Sequence, residues 1–126
     1  MPSPVQTAAE TYIKVWSEHD PAMRAALLEA CFAVDGRIVM PLREIRGRAA
    51  LNEVIEQFLA DPQRPRIRVT SVVDALGSTF RFRVVTERSD GTSHESFDAG
   101  QIDEQGRIAL VLSFGGALAD AAPLDV

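Results

Sequence analysis

The sequence predicts an α+β fold: a curved, mostly antiparallel sheet wrapped around three N-terminal helices, in the order α-α-β-α-β-β-β-β, with an internal pocket. Three observations predict it. Apolar residues recur at helical spacing three times before Asp61. From Ile67 to Phe114 the pattern changes to alternating and β-branched runs separated by turn signals. Helices segregated from a run of strands make an α+β domain. A twisted sheet of this size cannot bury one face under a single helix. Three helices can cover it, and a curved sheet then leaves a hollow between.

Each element follows from local chemistry. Val5, Ala8, Ala9, Tyr12, Ile13 and Trp16 make one apolar helical stripe, with Gln6, Glu10, Lys14 and Glu18 on the polar face. Met1 to Pro4 precede it as a short loose end. Asp20 caps a second helix and Pro21 takes its first position, where a missing N–H costs nothing. Met23, Ala26, Leu27, Ala30 and Cys31 form its stripe, and Asp35-Gly36 ends the helical region with a turn. Arg37-Ile38-Val39-Met40 reads as a short strand closed by Pro41, which cannot donate to a ladder. Leu42 to Arg46 connect onward, with room for a further short strand. Gly47 leads into the third helix, whose apolar face is Leu51, Val54, Ile55, Phe58 and Leu59. Asp61-Pro62 and Pro65 stop it.

The strands then follow one another. Ile67 to Val73 is β-branched, and Leu76-Gly77 breaks it. Thr79 to Glu87 alternates, Phe80, Phe82 and Val84 on one face and Arg81 and Arg83 on the other. Asp90-Gly91 signals a hairpin. Ser93 to Asp103 is the next strand, Gln105-Gly106 turns again, and Arg107 to Phe114 closes the meander. Gly115-Gly116 and the small-residue tail Ala117 to Val126 read as weakly ordered.

A chain of 126 residues is expected to form a single domain, residues 1–126. Its net charge of −5 argues against nucleic acid and anionic membrane as partners, since phosphate binding needs clustered Lys and Arg. No apolar run reaches membrane-spanning length. One cysteine, Cys31, excludes an internal disulfide and any cysteine-based zinc cluster, and fits a reducing compartment. With no basic-then-apolar leader, a cytoplasmic location is expected. Two distant histidines, His19 and His94, do not give ligand spacing, so neither a metal nor another cofactor is expected. His19 and the arginines Arg43, Arg46 and Arg48 read as solvated surface, Cys31 as a small core hydrophobe.

Several stretches, taken in order, resemble the nuclear transport factor 2-like superfamily and its SnoaL-like polyketide cyclase and ketosteroid isomerase branches. Tyr12-Ile13-Lys14-Val15-Trp16 followed by His19-Asp20-Pro21 is similar to the family's first helix and junction. Asp35-Gly36-Arg37-Ile38-Val39-Met40-Pro41-Leu42 resembles its first strand, Arg46-Gly47-Arg48-Ala49-Ala50-Leu51 its entry to the third helix, and Asp103-Glu104-Gln105-Gly106-Arg107-Ile108 its last hairpin. The resemblance spans Ala8 to Phe114. It implies a cone-shaped domain with a closed-end pocket, often a homodimer across the outer sheet face. It says little about chemistry, since one fold hosts many functions.

The same resemblance implies roles for individual residues. Asp98 matches an acidic residue on the penultimate strand that faces the pocket and donates a hydrogen bond to a substrate oxyanion. A carboxyl in an apolar hollow has its charged form disfavoured and so can donate a proton. The other reading is a strand aspartate in solvent, or one paired with Arg81 or Arg83 across the sheet. Tyr12 matches a pocket tyrosine that helps polarise a carbonyl. The other reading is a core aromatic with its hydroxyl on a backbone partner, as aromatics in a helical stripe usually are. Met40 stands where such relatives commonly carry an aspartate before proline, and methionine cannot accept a proton. His94 shares strand parity with Ser96 and Asp98, but sits about 13 Å from Asp98 by strand rise. A substrate could bridge the two, or His94 is simply an exposed hairpin-end residue.

Catalytic roles thus fall on Asp98, Tyr12 and His94, and ligand contacts on Trp16, Met40, Leu42, Ile55, Phe58, Phe82 and Phe114. The expected ligand is an apolar small molecule with a carbonyl or hydroxyl group, of steroid, polyketide or terpenoid size. The expected reaction is isomerisation, cyclisation or dehydration by acid catalysis. Met40 supports the alternative, a non-catalytic ligand-binding or dimerisation module.

Overall fold

The first helix of the computed structural model, which describes residues 2–125, is α1 (Pro4–Val15). Ser3 caps it by accepting from the Gln6 N–H at 3.1 Å, and Pro4 fills the first position, so the expected loose end is already helical there. Met1 and Val126, at the outer ends of the expected loose segments, lie outside the described residues. Asp20 caps α2 (Pro21–Cys31), accepting from the N–H of Ala22 at 2.9 Å. Its buried face is Arg24, Leu28 and Cys31, with Leu27 half-buried, whereas Met23, Ala26 and Ala30 face solvent. The expected stripe was one step out because a charged residue points inward. Arg24 is 2 % exposed. It donates to the Glu18 carbonyl at 2.8 Å, to Asn52 at 2.8 Å and to Glu56 at 3.0 Å, so its buried charge is fully partnered.

No turn separates α2 from the sheet. Strand β1 (Phe32–Met40) starts at the next residue, and Asp35-Gly36 lies inside it, not at a helix end. The Gly36 position is filled from above by the Phe32 ring, and a Cβ there would sit 2.6 Å from that ring and 2.9 Å from the Ile108 carbonyl. A turn signal was read where the glycine serves a close approach inside a bulged strand, the register against β7 shifting between Phe32 and Arg37. The connector after Pro41 does form a strand, β2 (Arg43–Arg46), before α3 (Arg48–Ala60).

Only the first part of the strand expected from Ile67 to Val73 forms, as β3 (Arg66–Val69). Residues 70–73 break from it, and a short strand β4 (Asp74–Leu76) forms where the sequence signals an end to the run, the two pairing with successive parts of β5 (Thr79–Glu87). Across the break the Ser71 hydroxyl accepts from the Arg83 N–H at 2.8 Å, standing in for a missing backbone acceptor. Arg83 in turn donates to the Thr70 hydroxyl at 2.9 Å and carbonyl at 2.8 Å. Strands β6 (Ser93–Ile102) and β7 (Ile108–Phe114) complete a seven-stranded sheet ordered β2-β1-β7-β6-β5-β3, with β4 also on β5. All pairs are antiparallel except β1 with β7. The sheet does not close on itself; its ends, β2 and β3, are not paired.

Helices cover the concave face. Val5, Ala8, Ala9, Tyr12 and Val15 of α1 and Leu51 and Ile55 of α3 meet Phe32, Ile38, Phe80, Phe82, Val84, Ile108 and Val111 from the strands. Each large side chain fully removed from water here contributes about 2–3 kcal/mol. Among the described residues no helix is long and apolar enough to cross a membrane.

Candidate functional site

Curvature and a three-helix cover leave a hollow of about 250 Å³ that the core does not fill. Strand period and register decide what faces it. Phe82 pairs with Asp98, and Asp98 with Ser113, so all three project to the concave face. Arg81 and Arg83 lie on the opposite side, Arg81 bound to Asp74 at 2.8 Å and Arg83 to Thr70, and neither reaches the Asp98 carboxyl. That carboxyl is 9 % exposed. Its Oδ1 accepts from the Ser113 hydroxyl at 2.7 Å. Burial pushes its pKa up to about 6, with the Ser113 bond opposing.

Around it the walls are mainly apolar. Tyr12, Ile13 and Trp16 come from α1, Met40 from β1, Phe58 from α3 and Phe82 and Val84 from β5. The Tyr12 ring stacks on Phe32 with centroids 6.3 Å apart, and Trp16 meets Tyr12 and Phe58 edge-on at 6.4 and 5.3 Å. Edge and stacked contacts of this kind fix ring orientation as well as bury area. Burial, then the nearby Asp98 charge, push the Tyr12 hydroxyl well above the usual phenol range, with the Trp16 indole opposing. Tyr12 therefore stays a neutral donor at every physiological pH.

The structure brings together Tyr12, Trp16, Met40, Phe58, Phe82, His94 and Asp98 around this one space. Three residues expected at the ligand are elsewhere. Leu42 stands fully exposed in the turn after β1, with φ +70°. Ile55 is 0 % exposed, packed beneath α3 in the core. Phe114 is at the end of β7 on the outer sheet face, 57 % exposed. There it borders a second, larger groove of about 840 Å³ with Val72, Phe97 and the Gly115–Ala119 segment. His94 is exposed at the rim of the inner hollow, its ring near Gly115. Cys31 is buried with its thiol pushed up to about 12 by desolvation, against the opposing Arg48, so it is inert as a nucleophile.

Sequence reasoning put Ser96 on the face of Asp98 but gave it no role, and missed Ser113, Thr86 and Arg88, all on the hollow's wall. Ser113 was out of reach. Counting outward from the Ile102–Ile108 pair puts Leu112 opposite Asp98, and a register shift between Gln101 and Ile102 moves Ser113 there. Among the described residues no group of three or more His, Cys, Asp or Glu is placed to hold a metal ion.

No family model matches the chain, and no curated protein does. Solved structures do. A candidate isomerase of the SnoaL-like family from Agrobacterium tumefaciens superposes with a TM-score of 0.78 at 27% identity, over 90% of this chain and 98% of that one. A nuclear transport factor 2-like protein from Mesorhizobium loti gives 0.74 at 17% identity, over 93% and 98%. A de novo designed protein with a curved β-sheet gives 0.70 at 14% identity, over 92% and 88%. The last two likenesses concern the fold alone.

Proposed function

We propose that this chain, 27% identical to a SnoaL-like family protein over 90% of its length, is a member of the SnoaL-like branch of the nuclear transport factor 2-like superfamily, that its hollow takes up a small apolar molecule and that Asp98 moves a proton on it. The observation that carries this reading is a carboxyl buried in the wall of an apolar space, hydrogen-bonded by Ser113 and not neutralised by a cation. Such a group sits near neutrality and both donates and accepts protons at modest cost. Tyr12, held neutral beside it, supplies a hydrogen bond to the same carbonyl or hydroxyl oxygen. Apolar cavities of about 150 Å³ take up benzene, and drug-sized sites begin near 300 Å³. A hollow of about 250 Å³ therefore suits a one- or two-ring molecule better than a steroid.

Met40 narrows the chemistry. It occupies the wall near Asp98 and can accept no proton, so a two-carboxylate relay is ruled out at this point of the wall. A single carboxyl can still isomerise a ketone by taking a proton from one carbon and returning it to another. It can also dehydrate an alcohol, protonating the departing hydroxyl and then taking the adjacent C–H proton as carboxylate. The second reading, binding without turnover, rests on the same Met40. Deuterium exchange separates them. Small cyclic ketones in heavy water should lose the C–H signal next to the carbonyl with wild type and keep it with Asp98→Asn, while both proteins bind. Binding without exchange in wild type selects the non-catalytic module, and absence of binding ends both readings.

A homodimer through the outer sheet face and a cytosolic location belong to the same proposal. Exposed Val72, Leu112 and Phe114 on that face support the first, the lone reduced Cys31 the second.

A further inference from the structure

The β5–β6 hairpin carries a gradient of chemistry along its concave face. From depth to rim, Phe82 pairs with Asp98, Val84 with Ser96 and Thr86 with His94. Arg88 follows one strand step further out and is among the residues lining the hollow. One end of the space thus carries a carboxyl, the other a guanidinium and an imidazole, about 13 Å apart by strand rise at the level of His94.

Among the described residues no side chain hydrogen-bonds the Arg88 guanidinium. Among the described residues it is in no ion pair, whereas Arg24, Arg37, Arg46, Arg68 and Arg81 each meet a carboxylate. Glu87, the acid next to it in sequence, is bound by Arg68 at 2.9 Å, and Asp90, two residues on, is occupied by the Thr92 N–H at 2.9 Å and hydroxyl at 2.7 Å. Other arginines are also without a carboxylate, but Arg88 is the one on the wall of the hollow. A half-buried planar guanidinium offers a fork of donors that matches a carboxylate.

We infer that the molecule taken up is an amphipathic carboxylic acid, a one- or two-ring body with its carbonyl or hydroxyl at Asp98 and its carboxylate at Arg88 and His94. The inference rests on the small-molecule reading above. Charge fixes the orientation: reversed, the acid would sit beside Asp98, and two carboxylates in a low-dielectric space repel. On a chain of net charge −5, the Arg88 guanidinium at the rim is what favours an anion there.

The test uses an acetylnaphthoate with ketone and carboxylate at opposite ends, and its methyl ester, titrated calorimetrically into the intact protein. The acid should bind about tenfold more tightly than the ester, the size of one charge-assisted hydrogen bond. Arg88→Gln should remove that preference and leave the ester unchanged, and Ser96→Phe, which fills the hollow, should abolish both. If the ester binds and the acid binds no better, or if the preference survives in an Arg88→Gln, His94→Gln double variant, the carboxylate inference is overturned and the hollow reading stands. Binding that survives Ser96→Phe overturns it too, by placing the ligand elsewhere. If neither compound binds wild type, both readings fail together.

Discussion

Asp98 is held where it is at a cost to stability. Folding raises its pKa from 3.8 to about 6, so between those values the folded chain keeps a proton that the unfolded chain has released. The stability from that proton is complete below pH 4 and lost as pH rises through about 6. Asp98→Asn, which can still accept from Ser113, should therefore be more stable than wild type at pH 7 by about 2 kcal/mol, with the gain vanishing towards pH 4. Urea unfolding of the two proteins at both pH values measures it. In the same window, turnover that needs the protonated acid should fall as pH rises through about 6. Asp98 was legible as a candidate because a charge interrupts a sheet-forming run. Its inward direction was not, since alternation gives parity and not which face is covered. That Leu42, Ile55 and Phe114 lie off the inner hollow was not legible for a related reason. Apolar character does not say whether a side chain meets a hollow, a filled core or the outer face.

At the scale of elements, two glycines and one break bend the sheet. Gly36 lies under Phe32 and Gly100 under Phe80, and a Cβ at Gly100 would stand 2.6 Å from the Leu110 carbonyl. An aromatic ring over a strand glycine is a known device for curving a sheet while keeping it packed. Gly100→Ala should cost about 2–3 kcal/mol, because a backbone carbonyl cannot step aside as a side-chain tip can. Gly91→Ala, in open space at the hairpin turn, should cost less despite its φ of +88°. Chemical denaturation of both variants gives the comparison. Caps, helix stripes and hairpin turns were readable because they act within a few residues. The bulges in β1 and β6 and the inward turn of Arg24 depend on partners far along the chain, Ile108, Leu110, Asn52 and Glu56. No local pattern announces those.

For the whole molecule, the fold is shared with 215 solved chains, so it narrows function only to what a curved, helix-capped sheet can enclose. In the proposed homodimer a second copy covers the outer face. Val39 and Leu112 lie side by side there, and both are 36% exposed. Leu112→Glu should convert a dimer to a monomer in sedimentation velocity without loss of helix signal in circular dichroism. The two free margins of the sheet behave differently from that face. One is β2, four residues long and bearing Arg43, Glu44 and Arg46. The other is broken at Ser71, where a hydroxyl has taken over a ladder bond. Neither offers a straight, uncharged run of free amides, so the chain resists stacking edge to edge into fibrils even when crowded.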